Sequence, residues 1–145
     1  MYTRILIPTD GSQLATKGLD HGLALAKALG VPVTVVSVTV PLGGLALQGV
    51  VQAQALESYD QGVREELAAT ERLVRQKVAE AGVAAEFISE TAISAAIGII
   101  ETAQARNCGL IVISSHGRTG VVRMILGSQT QEVLAKSTVP VLVVK

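Results

Sequence analysis

Residues Val33-Thr-Val-Val-Ser-Val-Thr-Val40 decide the fold class of this chain. Every residue in this stretch except Ser37 is β-branched, which is typical of a strand. The stretch lies between Pro32 and Pro41 and carries no charge. Uncharged runs of this kind are expected where helices cover both faces of a parallel sheet. We therefore predict a buried strand over 33–40, followed by a Gly/Gln-rich loop from Pro41 to about Gln54.

The same region raises a membrane alternative, because no charged residue occurs from Ala28 to Leu56. About 20 consecutive apolar residues are enough to span a bilayer as a helix. Prolines and glycines interrupt this stretch, however, and they would break such a helix. The N-terminus also lacks the apolar core of a signal peptide, since a charge occurs at Arg4 and a proline at Pro8. We therefore expect no membrane partner and a cytoplasmic location.

Composition excludes further classes of protein. The chain has 145 residues, of which 49% are hydrophobic, so it matches one globular domain over 1–145 rather than a disordered segment. Aromatic residues make up only 2% and the net charge is +0, which argues against nucleic-acid binding by stacking or by a basic surface. Cys108 is the single cysteine and cannot form an intrachain disulfide, which fits a cytoplasmic protein.

Apolar runs alternate with segments of helical periodicity along the whole chain. The order is βαβαβαβαβ, and strands separated by helices are expected to be parallel. We predict an α/β fold with a single doubly wound, five-stranded parallel sheet, Rossmann-like, with helices on both faces. Ligands bind such sheets beyond the carboxyl ends of the strands. The predicted strands cover 5–7, 33–40, 83–89, 110–113 and 139–144, and the predicted helices run from about 12 to 29, 56 to 81, 94 to 106 and 128 to 136.

Common catalytic motifs do not occur in the sequence. There is no Walker A lysine after a glycine, no GxGxxG after the first strand, no HExxH and no Gly-x-Ser-x-Gly. Asp10 has no acidic neighbour after the first strand, unlike a response regulator. We therefore assign no catalytic residue and expect no dedicated catalysis.

The segment after the fourth predicted strand has the parts of a phosphate-binding loop. Ser114, Ser115 and Gly117 are small, so that their backbone N–H groups could approach an anion closely. Arg118 adds a positive charge. An ordinary turn between a strand and a helix would have a similar composition, so the residue types alone leave both interpretations open.

The next helix is predicted to begin at Gly127-Ser128. Ser128 followed by Gln131 fits a capping box. The free N–H groups and the dipole at a helix start favour an anion, and the hydroxyls of Ser128 and Thr130 could donate to it. On this basis Gly127→Val should abolish anion binding with little loss of fold, and Ser128→Ala should remove a helix cap as well as a ligand contact.

These segments resemble the universal stress protein family of the nucleotide-binding type. That family has Gly, two residues, Gly, nine residues and then Gly-[Ser/Thr], and Ser114-Ser-His-Gly117, nine residues and Gly127-Ser128 match it except at Ser114. The opening Ile5-Leu-Ile-Pro-Thr-Asp-Gly-Ser12 and the closing Val139-Pro-Val-Leu-Val-Val144 also resemble the family's first and last strands. The resemblance covers essentially the whole chain, and Ser in place of Gly at 114 implies weakened or retained nucleotide binding.

The resemblance implies an ATP-binding stress-response or signalling module, with ADP or AMP as alternative ligands and Mg²⁺ accompanying the phosphates of ATP. It places adenosine beside the first two strands, the ribose beside the fourth, and the phosphates at the last helix. It further implies a homodimer through the strand Val139–Val144. The implied nucleotide-binding residues are Pro8, Thr9, Asp10, Val38, Ser114, Ser115, His116, Gly117, Arg118, Gly127, Ser128, Gln129 and Thr130.

Two other functions stay open at this stage. One is an interaction protein of the same fold that binds no nucleotide, which the departure at Ser114 favours. The other is an enzyme that transfers a nucleotide, although the chain is short for a second substrate pocket. Slow ATP hydrolysis or autophosphorylation is not excluded either.

Several of the singled-out residues also have purely structural interpretations. Asp10 could cap the first helix, and Thr9 could pack or cap without touching a ligand. His116 is expected to be a loop side chain rather than a catalytic base. His21 is expected on a solvated helix face, and Cys108 as an inert buried thiol.

Overall fold

A computed structural model describes residues 1–42, 52–116 and 126–145 of the chain. The described residues form five strands and four helices in the predicted alternating order. The strands are β1 (Ile5–Pro8), β2 (Val33–Thr39), β3 (Ala85–Thr91), β4 (Leu110–Ser114) and β5 (Val141–Val144). The helices are α1 (Gln13–Leu29), α2 (Ala53–Ala81), α3 (Ala95–Ala105) and α4 (Ser128–Lys136).

The five strands form one parallel sheet in the order β3-β2-β1-β4-β5. This confirms the predicted α/β, doubly wound fold. The chain proceeds outward from β1 to β3 and then returns to the other side of β1 with β4. The strand order therefore reverses between β1 and β4, and this is where such sheets bind ligands at their carboxyl ends.

Helices cover both faces of the sheet and enclose two apolar cores. On one face, α1 and α2 pack on alternate strand residues such as Ile7, Val35 and Val112. On the other face, α3 and α4 pack on the residues between them, among them Leu6 and Val36. Strands β1 and β4 are buried along their whole length, which explains their uninterrupted apolar sequence.

Glycines end the first two helices as their positions predict. Gly30 and Gly82 adopt left-handed backbone conformations with φ of 66° and 68°. A residue without a Cβ adopts this conformation at little cost, and the helix therefore stops there. At the other end of α1, the hydroxyl of Ser12 accepts from the N–H of Ala15 at 3.1 Å, which confirms Ser12 as a cap.

Three elements differ from their predicted boundaries by more than one residue, and one of these differences has a local cause. Helix α2 begins at Ala53 rather than about Leu56, so the predicted loop ends earlier than Gln54. Strand β5 begins at Val141 rather than Val139, because the hydroxyl of Ser137 bonds both the N–H and the carbonyl of Val139 and holds a turn there. Strand β3 covers Ala85–Thr91 rather than 83–89, for which the described contacts give no physical reason.

The amino ends of the strands share an ion-pair network. The Arg4 guanidinium donates to Thr34 Oγ1 and to Glu86 Oε1, both at 3.1 Å. Thr34 is fully buried and donates in turn to the same Glu86 oxygen at 2.8 Å. Arg106 reaches the second Glu86 oxygen at 3.2 Å. The carboxylate of Glu86 therefore joins β1, β2 and the end of α3 at the edge of the sheet opposite the carboxyl ends.

The membrane alternative is resolved where the structure describes the uncharged stretch. Its most apolar part forms strand β2, as predicted, while residues 43–51 lie outside the described part. Within the described ranges, no helix combines the length and apolarity that crossing a bilayer requires.

Candidate functional site

A cavity of about 260 Å³ lies at the carboxyl edge of the sheet, where the strand order reverses. The ends of β1, β2 and β4 form its floor, and the first turns of α3 and α4 form its walls. Its position is the one at which parallel sheets bind ligands. The described residues that line it are Pro8, Thr9, Asp10, Ala15, Val36, Val38, Ala95, Ile99, Ile113, Ser114, Ser128, Gln129 and Thr130.

One end of the cavity is apolar. Val36 and Val38 contribute side chains from β2, and Ala95 and Ile99 face them from α3. Helix α3 can lie this close to β2 because of Gly98, where a Cβ atom would lie 2.7 Å from Val38 Cγ1. The result is an aliphatic slot that offers apolar surface to a ligand.

The turn after β1 lines the middle of the cavity and is held by its own side chains. The hydroxyl of Thr9 accepts from the N–H of Gly11 at 3.2 Å, and the carboxylate of Asp10 accepts from the N–H of Ser12 at 2.9 Å. Asp10 therefore supports the start of α1, as its structural interpretation predicts. It also lines the cavity, and its contact with a ligand stays a prediction.

This turn also depends on a close approach by α2. Gly11 has a φ of +79°, and a Cβ atom there would collide with the hydroxyl of Thr70. Thr70 and Val74 are the buried residues of α2. Helix α2 therefore packs directly against the turn after β1, with Thr70 at the contact.

The start of α4 differs from its prediction. Gly127, not Ser128, occupies the N-cap position, and no described side chain caps the first turn. The predicted capping box between Ser128 and Gln131 is therefore wrong. The reason is that the N-cap lies one residue earlier than predicted, at a glycine that has no side chain to accept from the first turn. Gln131 instead donates through Nε2 to the carbonyl of Leu126 at 2.7 Å. The first N–H groups of α4 consequently open toward the cavity, beside Ser128.

Two polar side chains of this turn are already engaged within the protein. Thr130 donates its hydroxyl proton to the carbonyl of Ser114 at 3.1 Å, so this proton is not available for a phosphate. The side-chain oxygen of Gln129 accepts from the N–H of Ala96 at 2.9 Å. Helix α4 is thereby attached to β4 and to the start of α3.

The model of the universal stress protein family matches residues 1–145. This chain belongs to the universal stress protein family. It is 31% identical to a universal stress protein of Methanocaldococcus jannaschii over 100% of this chain and 83% of that protein. It is 30% identical to the universal stress protein YxiE of Bacillus subtilis over the full length of both chains.

Solved structures of other family members have the same fold as this universal stress protein. The structure of UspA from Lactobacillus plantarum superimposes with a TM-score of 0.82 at 21% identity, over 99% of this chain and 98% of that chain. A universal stress protein in complex with cAMP gives a TM-score of 0.72 at 20% identity, over 99% and 96%. An Archaeoglobus fulgidus member in complex with dAMP gives 0.64 at 22% identity, over 99% and 98%.

Ser114, where this universal stress protein departs from the family's glycine, fits its position without strain. Among the described residues, Asn107 is the one non-glycine with a positive φ, so Ser114 needs no conformation reserved for glycine. The hydroxyl of Ser114 donates to the carbonyl of His116 at 2.9 Å. The serine thus holds the beginning of the loop rather than intruding on it.

Three further sequence-predicted site residues that the structure describes are not among the lining residues: Ser115, His116 and Gly127. Ser115 and His116 bond each other through Oγ and Nδ1 at 3.1 Å, just beyond β4. Gly127 donates its N–H to the carbonyl of Ser115 at 2.8 Å and so fixes the start of α4. Gly117 and Arg118 lie outside the described residues.

The structure adds apolar lining residues that the sequence analysis did not name. Val36 precedes the predicted Val38 by two positions, so the two-residue alternation along a strand could have identified it. Ile113 directly precedes the predicted Ser114 on β4 and could have been identified from that strand end. Ala15, Ala95 and Ile99 depend on how the helices are placed over the sheet, which no local pattern of this sequence specifies.

Charge in and around the cavity is sparse within the described ranges. Asp10 is the one ionisable residue among the described lining residues. No group of three or more His, Cys, Asp or Glu side chains suited to a metal ion occurs in the described part of the chain. Cys108 is buried far from this edge, near the Glu86 network, and its burial raises the pKa of its thiol despite the nearby Arg4 guanidinium. The thiol is therefore expected to stay protonated and unreactive.

Proposed function

We propose that this universal stress protein binds an adenine nucleotide, ATP with Mg²⁺ or else ADP or AMP, and acts as a nucleotide-dependent stress-response or signalling module. The observation that supports this most strongly is the open first turn of α4 at one end of a cavity whose other end is apolar. A helix start without a side-chain cap offers N–H donors and a favourable dipole to a phosphate. The apolar end offers aliphatic surface to a base.

The proposed arrangement follows from these two ends. Adenine lies in the slot between Val38 and Ile99, where aliphatic packing takes the place of aromatic stacking. The ribose passes the turn at Thr9 and Asp10, whose oxygens are acceptors for hydroxyl groups. The phosphates meet the N–H groups at the start of α4. The family relatives in complex with cAMP and dAMP bind ligands of the same class.

The other proposed nucleotide contacts continue along both strand ends and the loop. Pro8 and Ser114 line the cavity beside the ribose, and Ser128, Gln129 and Thr130 line it at the phosphate end. For Ser115, His116, Gly117, Arg118 and Gly127 the proposal rests on the family motif. Mg²⁺ would be bound chiefly by the phosphates of ATP, since this ion commonly keeps few protein ligands.

Calorimetric titration of the purified protein with ATP and Mg²⁺ tests the proposal, together with mass spectrometry of any nucleotide released on denaturation. We expect micromolar affinity, which corresponds to a binding free energy of about −8 kcal/mol. ATP at about 100 times its Kd should stabilise the fold by about 2.7 kcal/mol and raise the melting temperature. Absence of binding at millimolar ATP would contradict the proposal and favour an interaction protein that needs no nucleotide.

Matched substitutions on α3 locate the base. Ala95 lines the cavity at the first residue of this helix, whereas Ala105 is exposed at the last. Ala95→Leu should fill the apolar slot and lower ATP affinity by about tenfold or more, because base and side chain compete for the same volume. Ala105→Leu should leave the affinity unchanged. Equal ATP affinities in Ala95→Leu and Ala105→Leu would contradict a base bound beside Ala95.

We also propose a homodimer that pairs through the strand predicted over Val139–Val144. Strand β5 is at the edge of the sheet, and its four residues are only partly buried. The carbonyls of Pro140 and Val144 bond β4, so the backbone groups of Val141 and Val143 face away from the sheet. Light scattering should give twice the chain mass, and Val143→Pro should return it to the mass of one chain, because proline removes an outward donor.

A further inference from the structure

The side chain of Gln129 has a fixed orientation. Its oxygen Oε1 accepts a hydrogen bond from the backbone N–H of Ala96 at 2.9 Å, across 33 residues of sequence. A backbone N–H can only donate, so the atom that it meets must be the amide oxygen. This contact therefore identifies the other end of the amide as Nε2, on a side chain that lines the cavity.

Two hydrogen-bond donors remain on that nitrogen. Among the residues that the structure describes, none accepts a hydrogen bond from Gln129 Nε2. The side chain is exposed and adjoins Ser128, where the first turn of α4 has no side-chain cap. The two N–H groups of the amide consequently extend the set of donors that α4 already offers.

The same contact engages a backbone N–H group at the start of α3, the other helix that begins at the cavity. In the first turn of α3, the N–H of Ala96 bonds Gln129 and the N–H of Ile97 bonds the hydroxyl of Ser94 at 3.2 Å. Two donors at the start of α3 are therefore engaged, whereas no described side chain caps the first turn of α4. Gln129 contributes to this difference, because its acceptor is used by Ala96 of α3.

We propose that Gln129 is a specificity-determining residue that makes the cavity favour phosphorylated adenine ligands over adenosine, by donating from Nε2 to a phosphate oxygen. This inference rests on the proposed function. The chemistry it requires in the ligand is an anionic oxygen cluster attached to the sugar, with no covalent step. The residue lies outside the Gly-[Ser/Thr] signature, so the preference belongs to this chain's own side chain.

Calorimetric titration with ATP and with adenosine tests the proposal in the wild type and in Gln129→Glu. The carboxylate of this variant keeps an acceptor for Ala96 while it loses both donors. Affinity for ATP should fall by about tenfold or more, the effect of losing a hydrogen bond to a charged group. Affinity for adenosine should change by less than about twofold, and the melting temperature should not fall, since an acidic group at a helix start is favourable.

Gln131→Glu is the matched control for the added charge. Gln131 belongs to the same helical turn but does not line the cavity. Its effect on ATP affinity should be less than about threefold, because exposed charges are screened by solvent and salt. Gln129→Met adds no charge and removes both donor and acceptor, so it should weaken ATP binding as well and also lower the melting temperature.

The outcomes separate the inference from the proposed function. Equal losses of ATP affinity in Gln129→Glu and Gln131→Glu would overturn the inference, because general repulsion would explain both. An equal loss for adenosine and ATP in Gln129→Glu would also overturn it, since Gln129 would then only hold α3 in place. In both cases the wild type still binds ATP and the proposed function stands. A wild type that binds neither ligand overturns both.

Discussion

The backbone N–H of Gly127 donates to the carbonyl oxygen of Ser115 at 2.8 Å, and so the start of α4 lies directly beside the end of β4. Ser115 is in turn bonded through its own N–H to the carbonyl of Val144 at 2.8 Å. One residue therefore joins the last strand of the sheet to the helix whose first turn opens on the cavity. A substitution at Gly127 is therefore expected to disturb this junction as well as any bound ligand.

Gly127→Val should weaken nucleotide binding and also lower the melting temperature by a few degrees. A Cβ atom at Gly127 would lie 3.3 Å from the Ser115 carbonyl and 3.6 Å from the His116 Cα. The first of these contacts is tight, so we expect some loss of stability in addition to the loss of binding. Thermal melting and ATP titration of the variant check both effects. An unchanged melting temperature with abolished binding would restore the original expectation.

Ser128→Ala should reduce ATP affinity while the free energy of unfolding changes by less than about 0.5 kcal/mol, as for most surface sites. The reason is that Ser128 does not cap α4. Ser94→Ala is the contrast, because Ser94 caps α3 through the N–H of Ile97 and should cost about 1 kcal/mol. Urea unfolding of the two variants gives the comparison. A cost of about 1 kcal/mol for Ser128→Ala would show that its hydroxyl does cap the helix.

Glu86→Ala should destabilise the fold by about 1 kcal/mol without changing ATP affinity. The loss removes the acceptor of the buried Thr34 hydroxyl, and the partial exposure of the ion pair with Arg4 keeps the total small. Glu71→Ala breaks the exposed pair with Arg75 and should cost less than about 0.5 kcal/mol. Chemical unfolding measures both, and a change in ATP affinity for Glu86→Ala would contradict the separation of the network from the cavity.

Alkaline pH should destabilise the protein partly through Cys108. Burial raises the pKa of this thiol in the folded state above its value in the unfolded chain. Its contribution to stability is therefore fully present below the unfolded pKa and is lost as pH rises through the folded pKa. Urea unfolding between about pH 7 and pH 10 should show a smaller alkaline loss in Cys108→Ala than in the wild type. Parallel curves for the two proteins would contradict this assignment.

Local signals explain which parts of the fold the sequence predicts. Gly30 and Gly82 end their helices because their conformation is a property of the residue itself, and the β-branched run of β2 is likewise self-contained. The start of β5 was misplaced because Val139 is apolar like the strand, whereas the hydroxyl of Ser137 holds it in a turn. The Ser137 hydroxyl thus bonds backbone groups of Val139 that the strand would otherwise use, and the hydropathy pattern does not show this.

Two features of the sequence predict part of the candidate site: the carboxyl ends of the strands and the family motif. Eight of its sequence-predicted residues line the cavity, among them Asp10 and Val38. The contact between Gln129 and Ala96 could not be foreseen, because it joins two helices 33 residues apart in sequence. The N-cap of α4 was predicted one residue too late, since Ser128 has the residue type of a cap but not its position.

The Glu86 network at the amino ends of the strands has a consequence for how this chain can change. Strands β1 and β2 are anchored by this network at one end of the sheet and present their last residues to the cavity at the other. Substitutions that change ligand preference therefore lie at the end of the sheet opposite the anchoring contacts. An exposed cavity residue such as Ser128 can therefore be exchanged while the contacts that hold the amino ends of β1 and β2 stay in place.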